Sequence, residues 1–482
     1  MSVSRRAFLR LGGISGAAAA AQWALRHRPG QPARRLTAPG SGAAGQPATV
    51  ATWSGDAEQT TVRVSAYTTA TRLVGLAVSE RADMGDARYV DARRPNRYGW
   101  NAWQVDGLTV GTQYYYRVTD TPRGGKRRFI GDLGRFRTLQ AAGVACTTRI
   151  AVGSCGRYAP LNPAALQDIV AWEPDRTMHL GDFGYPQNLT TDIATHMSNW
   201  AVNSSDPGMR EVQAMACMDY IVSDHDGNDN GKRENRPNYH DPITAVNLKA
   251  WQEMVPARMA DTRPMPRGRW RSEVEGNVRF VKLDTRSLDR SDVTARSTDP
   301  ASPNSTMLGP AQRIWLMNEI ADAAAQRQLI VMFSDCAWNG TSPGPPIPGS
   351  YSDKWPSYIY ERDLISDFAA AQGAQLFIVF GDSHGLQQDD GTFEKNGFAS
   401  ICCGPLDMEL HMHYQDSYQW SYPYDVPEHG GPYRFAQQYQ RLTIEQEKGS
   451  TTVTVTAQAR DCSPSVQGTP FTVRTLTKSY TL

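Results

Sequence analysis

Apolar residues along this chain come in short unbroken runs, and each run stops at residues that can do chemistry. Arg149-Ile-Ala-Val-Gly-Ser-Cys155, Thr177-Met-His-Leu-Gly-Asp182, Met218-Asp-Tyr-Ile-Val-Ser-Asp224-His225-Asp226, Phe280-Val-Lys-Leu-Asp-Thr-Arg286, Leu329-Ile-Val-Met-Phe-Ser-Asp335 and Gln375-Leu-Phe-Ile-Val-Phe-Gly-Asp-Ser-His384 all follow this design. A continuous apolar run of this length reads as a strand buried on both faces. Between the runs stand helical patterns at 162–172, 310–324 and 360–370. Strands alternating with helices predict an α/β domain, with ligands gathered beyond the carboxyl ends of its strands. Six such ends carrying ligand-type or charged residues predict one shared site.

The first part of the chain has another texture. Within 48–140, Gln59-Thr-Thr-Val-Arg-Val-Ser-Ala-Tyr67 alternates, Arg72-Leu-Val-Gly-Leu-Ala-Val-Ser79 follows, and Trp103-Gln-Val-Asp-Gly-Leu108 leads to Gln113-Tyr-Tyr-Tyr-Arg-Val118. Short strands with turn residues between them predict a small antiparallel β-sandwich, and nothing in it looks catalytic. Leu108, Thr112 and Tyr114 resemble the Leu-x-Pro-x-Thr-x-Tyr corner of fibronectin type III-like domains, with Val110 where the proline would stand. At the other end, Gln440-Arg-Leu-Thr-Ile-Glu-Gln446 and Ser450-Thr-Thr-Val-Thr-Val-Thr-Ala-Gln-Ala459 predict a hairpin. The polar, aperiodic intervals 287–305 and 339–355 read as loops at the rim of the site.

At 482 residues the chain is long enough for two or three domains. Fifty basic residues against 49 acidic ones give a formal charge of +1, which offers no nucleic-acid-binding surface. Ser4-Arg5-Arg6-Ala7-Phe8-Leu9-Arg10, followed by an Ala/Gly-rich, modestly apolar segment, is the layout of a twin-arginine export signal over 1–30. It implies the twin-arginine machinery as a partner and a periplasmic, cell-envelope or extracellular location, with cleavage near Gln22 and a Gly/Ala/Pro/Ser linker over 31–47. No stretch reaches the ~20 apolar residues of a membrane span. Seven cysteines is an odd number, so at least one stays out of internal disulfides; Cys155, at a strand end, is the candidate.

The strand ends offer thiol, carboxylate, phenol, amide and imidazole: Cys155, Asp182, Tyr185, Asp224, His225, Asn230, Asp382 and His384. Thiolate, phenolate and imidazole suit a transition metal such as ferric iron; carboxylate and amide oxygens suit calcium or magnesium. Singly, each residue has an ordinary structural use. A Gly-Asp pair after a strand is most often a turn, His225 could be a core histidine, Cys155 a buried thiol and Arg286 an ion-pair partner. Asp224-His-Asp-Gly-Asn-Asp-Asn230 resembles part of a calcium loop but lacks its downstream glutamate. Their joint placement at strand ends favours two unlike metals sharing an aspartate.

Taken in order, Ser154-Cys155, Gly181-Asp182-Phe-Gly-Tyr185, Asp224-His225-Asp226 with Asn230, Leu283-Asp-Thr-Arg286, Leu308-Gly-Pro-Ala-Gln-Arg-Ile-Trp-Leu316 and Gly381-Asp382-Ser-His384 resemble the alkaline phosphatase D family of metallophosphoesterases. The resemblance covers nearly the whole chain. It implies a four-layer α/β/β/α metallophosphoesterase sandwich over 148–482, preceded by the small all-β sandwich domain. It further implies hydrolysis of phosphate mono- and diesters by a metal-activated hydroxide at a centre of Fe3+ and Ca2+. Carried over by motif, Cys155 and Tyr185 bind iron, Asp182 bridges, Asn230 binds the second metal, and Asp382 and His384 complete the cluster. His225 sits by the leaving group, and Arg286 and Arg157 bond to phosphate. Ser223, Phe183-Gly184, Pro186-Gln187 and Gly385-Leu-Gln-Gln388 depart from the family pattern, which bears on substrate range and on the acid–base assignment. A phospholipid or nucleotide diesterase, or a non-catalytic envelope module on the same scaffold, are the competing readings.

Overall fold

The computed structural model describes residues 49–70, 72–120, 126–156, 163–183, 191–226, 242–260, 268–286, 290, 301–339, 354–409, 422–423, 435–463 and 470–482. The export signal, the linker, Arg157, Tyr185, Asn230 and most of the two rim loops lie outside the described residues.

Eight strands come first: β1 (Thr49–Gly55), β2 (Val62–Thr68), β3 (Val74–Ser79), β4 (Arg88–Arg93), β5 (Trp100–Val105), β6 (Gln113–Asp120), β7 (Arg128–Phe129) and β8 (Gly134–Arg137). They form an antiparallel sheet β1-β2-β5 and a second, β4-β3-β6-β7, with β8 on β6. The two bury one shared cluster that includes Val62, Val64 and Trp103 from the first and Val74, Leu76, Tyr116 and Phe136 from the second. The corner forms without its proline: Thr109 N donates to Tyr114 Oη at 2.9 Å, and Tyr114 Oη donates to Glu80 Oε1 at 3.0 Å.

The rest of the chain is α/β. Its elements are β9 (Thr147–Gly156), α1 (Ala164–Trp172), β10 (Arg176–His179), α2 (Ile193–Ser204), α3 (Pro207–Met215), β11 (Cys217–Tyr220), α4 (Pro242–Met254), β12 (Arg271–Glu275), β13 (Val278–Lys282), α5 (Gly309–Ala325), β14 (Leu329–Ser334), α6 (Ile359–Ala371) and β15 (Gln375–Phe380). Then come β16 (Gln387–Asp389), β17 (Ala399–Cys402), β18 (Pro405–Glu409), β19 (Tyr422–Pro423), β20 (Phe435–Ala436), β21 (Gln438–Glu445), β22 (Thr452–Asp461) and β23 (Phe471–Thr481). One sheet runs β11-β10-β9-β21-β22-β23, with β18 alongside β9; the other runs β12-β13-β14-β15-β17-β16-β19. The apolar runs are parallel neighbours: β9 with β10 and β10 with β11 in one sheet, β13 with β14 and β14 with β15 in the other. The expected hairpin is β21 and β22, and β23 extends it by a further antiparallel strand that the sequence pattern did not single out.

Why the runs lack alternation is visible in β15. Leu376, Ile378 and Phe380 join a cluster with Leu316 and Ile320 of α5 and Ile365 of α6. Phe377 and Val379 join another with Val152 of β9, Leu442 of β21 and Val455 of β22, which belong to the opposite sheet. Each strand residue is therefore buried whichever way it points, at roughly 1.5–3 kcal/mol per large apolar side chain. On the far side of the first sheet, Ala151 and Met218 pack with Leu166 of α1, Trp200 of α2, Met209 of α3 and Trp251 of α4. Asp192 and Asp206 begin α2 and α3 by accepting backbone N–H groups, the ordinary carboxylate cap.

A buried ion cluster ties three sheets together. Arg176 and Lys282 each bond Asp219 and Glu273, Arg271 bonds Asp56 at 3.0 Å, and Asp56 N donates to Asp219 Oδ1 at 2.9 Å. Burial alone would raise the Asp219 carboxyl, but Lys282, Arg176 and Arg271 hold it below the usual carboxylate range. None of the seven cysteines forms a disulfide, and all but Cys146 are buried. No helix among the described residues is long and apolar enough to cross a membrane. Asp219→Ala leaves Arg176 and Lys282 buried with too little negative charge; we expect a loss of about 3–5 kcal/mol in chemical denaturation.

Candidate metal centre

The strand ends of the two sheets meet at glycines. A Cβ on Gly381, just past β15, would stand 2.8 Å from Ser154 Cβ and 3.0 Å from Leu180 Cβ, both on the opposite sheet's side. Gly181 has φ 95°, and a Cβ there would stand 2.4 Å from Ser223 Cβ. Only glycine lets these backbones approach so closely. The residues that follow are forced into tight turns. Cys155, Asp182, Asp382 and His384 have φ of 52°, 61°, 59° and 47°, a left-handed conformation that costs a non-glycine residue about 1–3 kcal/mol. Four of the site residues share this strain.

Two groups of donors result. Cys155, Asp182 and His384, all buried, each bring one ligand atom within 4.8 Å of the others, as do Asp182, Asp224 and His225. Asp182 is common to both, which is what a bridging carboxylate requires. Cys155 Sγ donates to Asp182 Oδ2 at 3.3 Å, and His225 N donates to Asp182 Oδ1 at 3.0 Å. The His225 ring faces Asp224, with Nε2 3.9 Å from Oδ2.

The electrostatics fit a cation. Burial, then the Asp224 and Asp226 carboxylates, push the Asp182 carboxyl well above the ordinary carboxylate range. Burial, then Asp182, push the Cys155 thiol well above its ordinary value. Crowded, desolvated anions of this kind are stabilised by a metal ion, which reverses the sign of both effects. Cys155, Asp182, Asp224, His225 and His384 are a donor set of the right chemistry for it.

Asp382 is placed differently from His384. Its carboxylate groups with Asp335 and Cys336. Arg286 Nη2 donates to Asp382 Oδ2 at 2.7 Å and Arg286 Nε donates to Asp335, while Lys354 Nζ bonds the same Asp382 oxygen. Of the residues expected from sequence, the fold thus gathers Cys155, Asp182, His384 and His225, with Asp382 and Arg286 alongside; Tyr185, Asn230 and Arg157 lie outside the described residues.

Four contributors escaped sequence reasoning. Asp226 accepts hydrogen bonds from Asp182 N at 2.8 Å, Phe183 N at 3.0 Å and Ser223 N at 3.0 Å, and so fastens both loops that meet at Gly181. Asp335 was visible as a strand end but had no role assigned. Lys354 fell inside an interval read as rim loop, yet it is buried, as is Trp355 beside it. His179, pushed down to about 3 by burial, accepts from Gly181 N at 3.2 Å as a neutral ring.

Residues 150–461, more than half of the chain, match the family of PhoD-like phosphatases. The chain belongs to the PhoD-like phosphatase family. Alkaline phosphatase D of Bacillus subtilis (strain 168) is 26% identical over 320 residues, covering 58% of this chain and 52% of that protein. The chain spans about half the length of this curated relative. A solved structure of PhoD superimposes with a TM-score of 0.70 at 18% identity, covering 91% of this chain and 90% of that one. The purple acid phosphatase PPD1 from yellow lupin seeds gives 0.57 at 12% identity, over 89% of this chain and 74% of its own. At these identities the two structures establish the shared α/β fold with sheets.

Two outcomes follow for this PhoD-like chain. Gly381→Ala should cost about 1–3 kcal/mol in thermal or urea denaturation, because the two sheets cannot separate without opening their common core. A carboxyl whose folded-state pKa is raised stabilises the fold below its unfolded value, about 3.9, and loses that contribution as pH rises. Asp182→Asn cannot ionise. In chelator, its melting temperature should exceed wild type at pH 8, and the gap should close towards pH 4; an equal gap at both pH values would contradict the electrostatic account.

Proposed function

We propose that this chain is an exported, metal-dependent phosphatase and phosphodiesterase that hydrolyses phosphate esters. The observation that carries the reading is the buried convergence of Cys155, Asp182 and His384 at the point where the two sheets meet, with Arg286 bonded to Asp382, two residues before His384. We propose four layers, α/β/β/α, over 148–482 and a β-sandwich domain over 48–140; the three apolar clusters of the α/β part and the fourth of the leading strands support it. Export is inferred from Arg5-Arg6 and the residues that follow.

Metal ions held at these donors would supply an activated water and positive charge for the phosphoryl oxygens. Cys155 and His384 with Tyr185 would hold ferric iron, Asn230 and the carboxylates would hold calcium, and Asp182 would serve both. Asp226 holds Asp182 in place through its backbone. His225, partly exposed beside Asp224, would hand a proton to the leaving oxygen. Arg286 and Arg157 supply charge-assisted hydrogen bonds to the phosphoryl group. A non-catalytic module would have no need to keep Cys155, Asp182 and His384 buried together in strained backbone, with Asp224 and His225 beside Asp182.

Metal analysis of the purified protein, paired with hydrolysis of a chromogenic monoester and a diester, tests the reading. We expect bound iron and calcium, a charge-transfer colour from Tyr185, and a loss of at least about tenfold, or 1.4 kcal/mol, in kcat/KM for Asp182→Asn. A colourless, iron-free and fully active enzyme would overturn the iron assignment. The ratio of monoester to phospholipid or nucleotide diester hydrolysis distinguishes the substrate classes.

A further inference from the structure

Arg286 and Lys354 bond to one and the same oxygen of Asp382. Arg286 also bonds Asp335, so that cation alone already links both carboxylates of this corner. Lys354 brings a second buried cation to this corner, so its two carboxylates face two cations. Lys354 is 4% exposed, and its ammonium also reaches the Asp382 carbonyl oxygen at 3.3 Å. Taking an ammonium out of water costs several kcal/mol, so its presence needs a reason beyond filling space.

The backbone fixes Lys354 at this spot. Trp355 N donates to Ala337 O at 3.2 Å, the Trp355 indole donates to Ser334 Oγ at 3.1 Å, and its ring lies 4.9 Å from that of Trp338. The tryptophan is fully buried against the end of β14. Its neighbour is thereby held over the ends of β13, β14 and β15, where Arg286, Asp335 and Asp382 emerge. The loop Asp382-Ser383-His384 carries His384 to the donors around Asp182 and Asp382 to the two cations, so three consecutive residues join the two sets of groups.

We propose that Lys354 is a phosphate-binding residue of this site. With Arg286 it forms a cationic pair whose bonds to Asp382 are shared with the phosphoryl oxygens of a bound ester. The assignment rests on the phosphate-ester reading above. The two cations complement each other chemically, since guanidinium gives a fixed fork of donors and ammonium a compact point charge that adapts to a third oxygen.

Inorganic phosphate serves as the titrant in calorimetry on the metal-loaded protein as purified, with steady-state kinetics on a chromogenic monoester and metal analysis of each variant. Lys354→Met should weaken phosphate binding by at least about tenfold and raise KM more than it lowers kcat, with metal content unchanged; Lys354→Arg should recover most of the loss. Unchanged phosphate affinity in Lys354→Met overturns the assignment. So does loss of metal in step with phosphate, which would make Lys354 a brace for Asp382. If Lys354→Met does not accumulate as folded protein, Lys354→Gln gives the same titration. A wild-type protein that binds no phosphate and hydrolyses no ester refutes the phosphatase reading itself; an active wild type beside a Lys354→Met variant with normal phosphate binding refutes only the role of Lys354.

Discussion

The approach of the two sheets at their carboxyl ends is the constraint from which the rest follows. Gly381 lies against Ser154 and Leu180 of the opposite sheet, and between β10 and β11 of one sheet Gly181 lies against Ser223, at separations no side chain tolerates. The core behind them, with Val152 and Leu442 facing Phe377 and Val379, is continuous between the sheets, so the strand ends cannot drift apart without opening it. Chains leaving strands this close must turn at once. Asp182, Asp382 and His384 take up left-handed backbone for that reason, as does Cys155 within the last residues of β9, and Cys155, Asp182 and His384 are thereby brought together. Strain and site have one cause.

At these strand ends the charges divide in two. Around Asp182 the neighbours are Asp224, Asp226 and the Cys155 thiol, and burial, then the two carboxylates, push its carboxyl well above the ordinary carboxylate range. Around Asp382 the neighbours are Arg286 and Lys354, and the carboxylates of Asp335 and Asp382 are matched one for one. The first half gains from a cation, the second is balanced within itself, and the single three-residue loop Asp382-Ser383-His384 joins them.

Much of this was legible in the chain. Strands buried on both faces announce themselves as unbroken apolar runs, and a run that ends in Gly-Asp or Asp-His shows where the site begins. The α/β fold and the meeting of Cys155, Asp182 and His384 follow from those signals. Asp226, Lys354 and Arg176 were not readable in the same way, because their partners lie far off in sequence. Asp226 acts through the amides of Asp182 and Phe183, and Lys354 through Asp382, neither of which leaves a local pattern. Lys354 was further hidden by an aperiodic segment, since irregular backbone braced by one buried tryptophan resembles a surface loop until its packing is seen. The ion cluster of Arg176, Lys282, Asp219 and Glu273 was concealed within strand patterns, where charged residues normally argue for exposure.

The leading β sheets bear on the site in a way their sequence did not announce. Trp53 of β1 packs with Phe183, the residue after Asp182, at 6.0 Å between ring centres, and with Trp200 of α2 at 5.6 Å. Phe183 is also held through its carbonyl by the Asn203 side chain. Asp56, at the end of β1, enters the buried ion cluster through Arg271, whose guanidinium donates to Tyr220 O at 3.0 Å, immediately ahead of the loop that carries Asp224 and His225. The first sheet therefore stands behind both carboxylate-bearing loops. A buried ion pair adds little net stability, but breaking one leaves a charge stranded, so such pairs fix geometry more firmly than they strengthen the fold. The β1-β2-β5 sheet thus braces the loops of the candidate metal centre, and the position of Asp182 depends on residues more than a hundred places away in the chain.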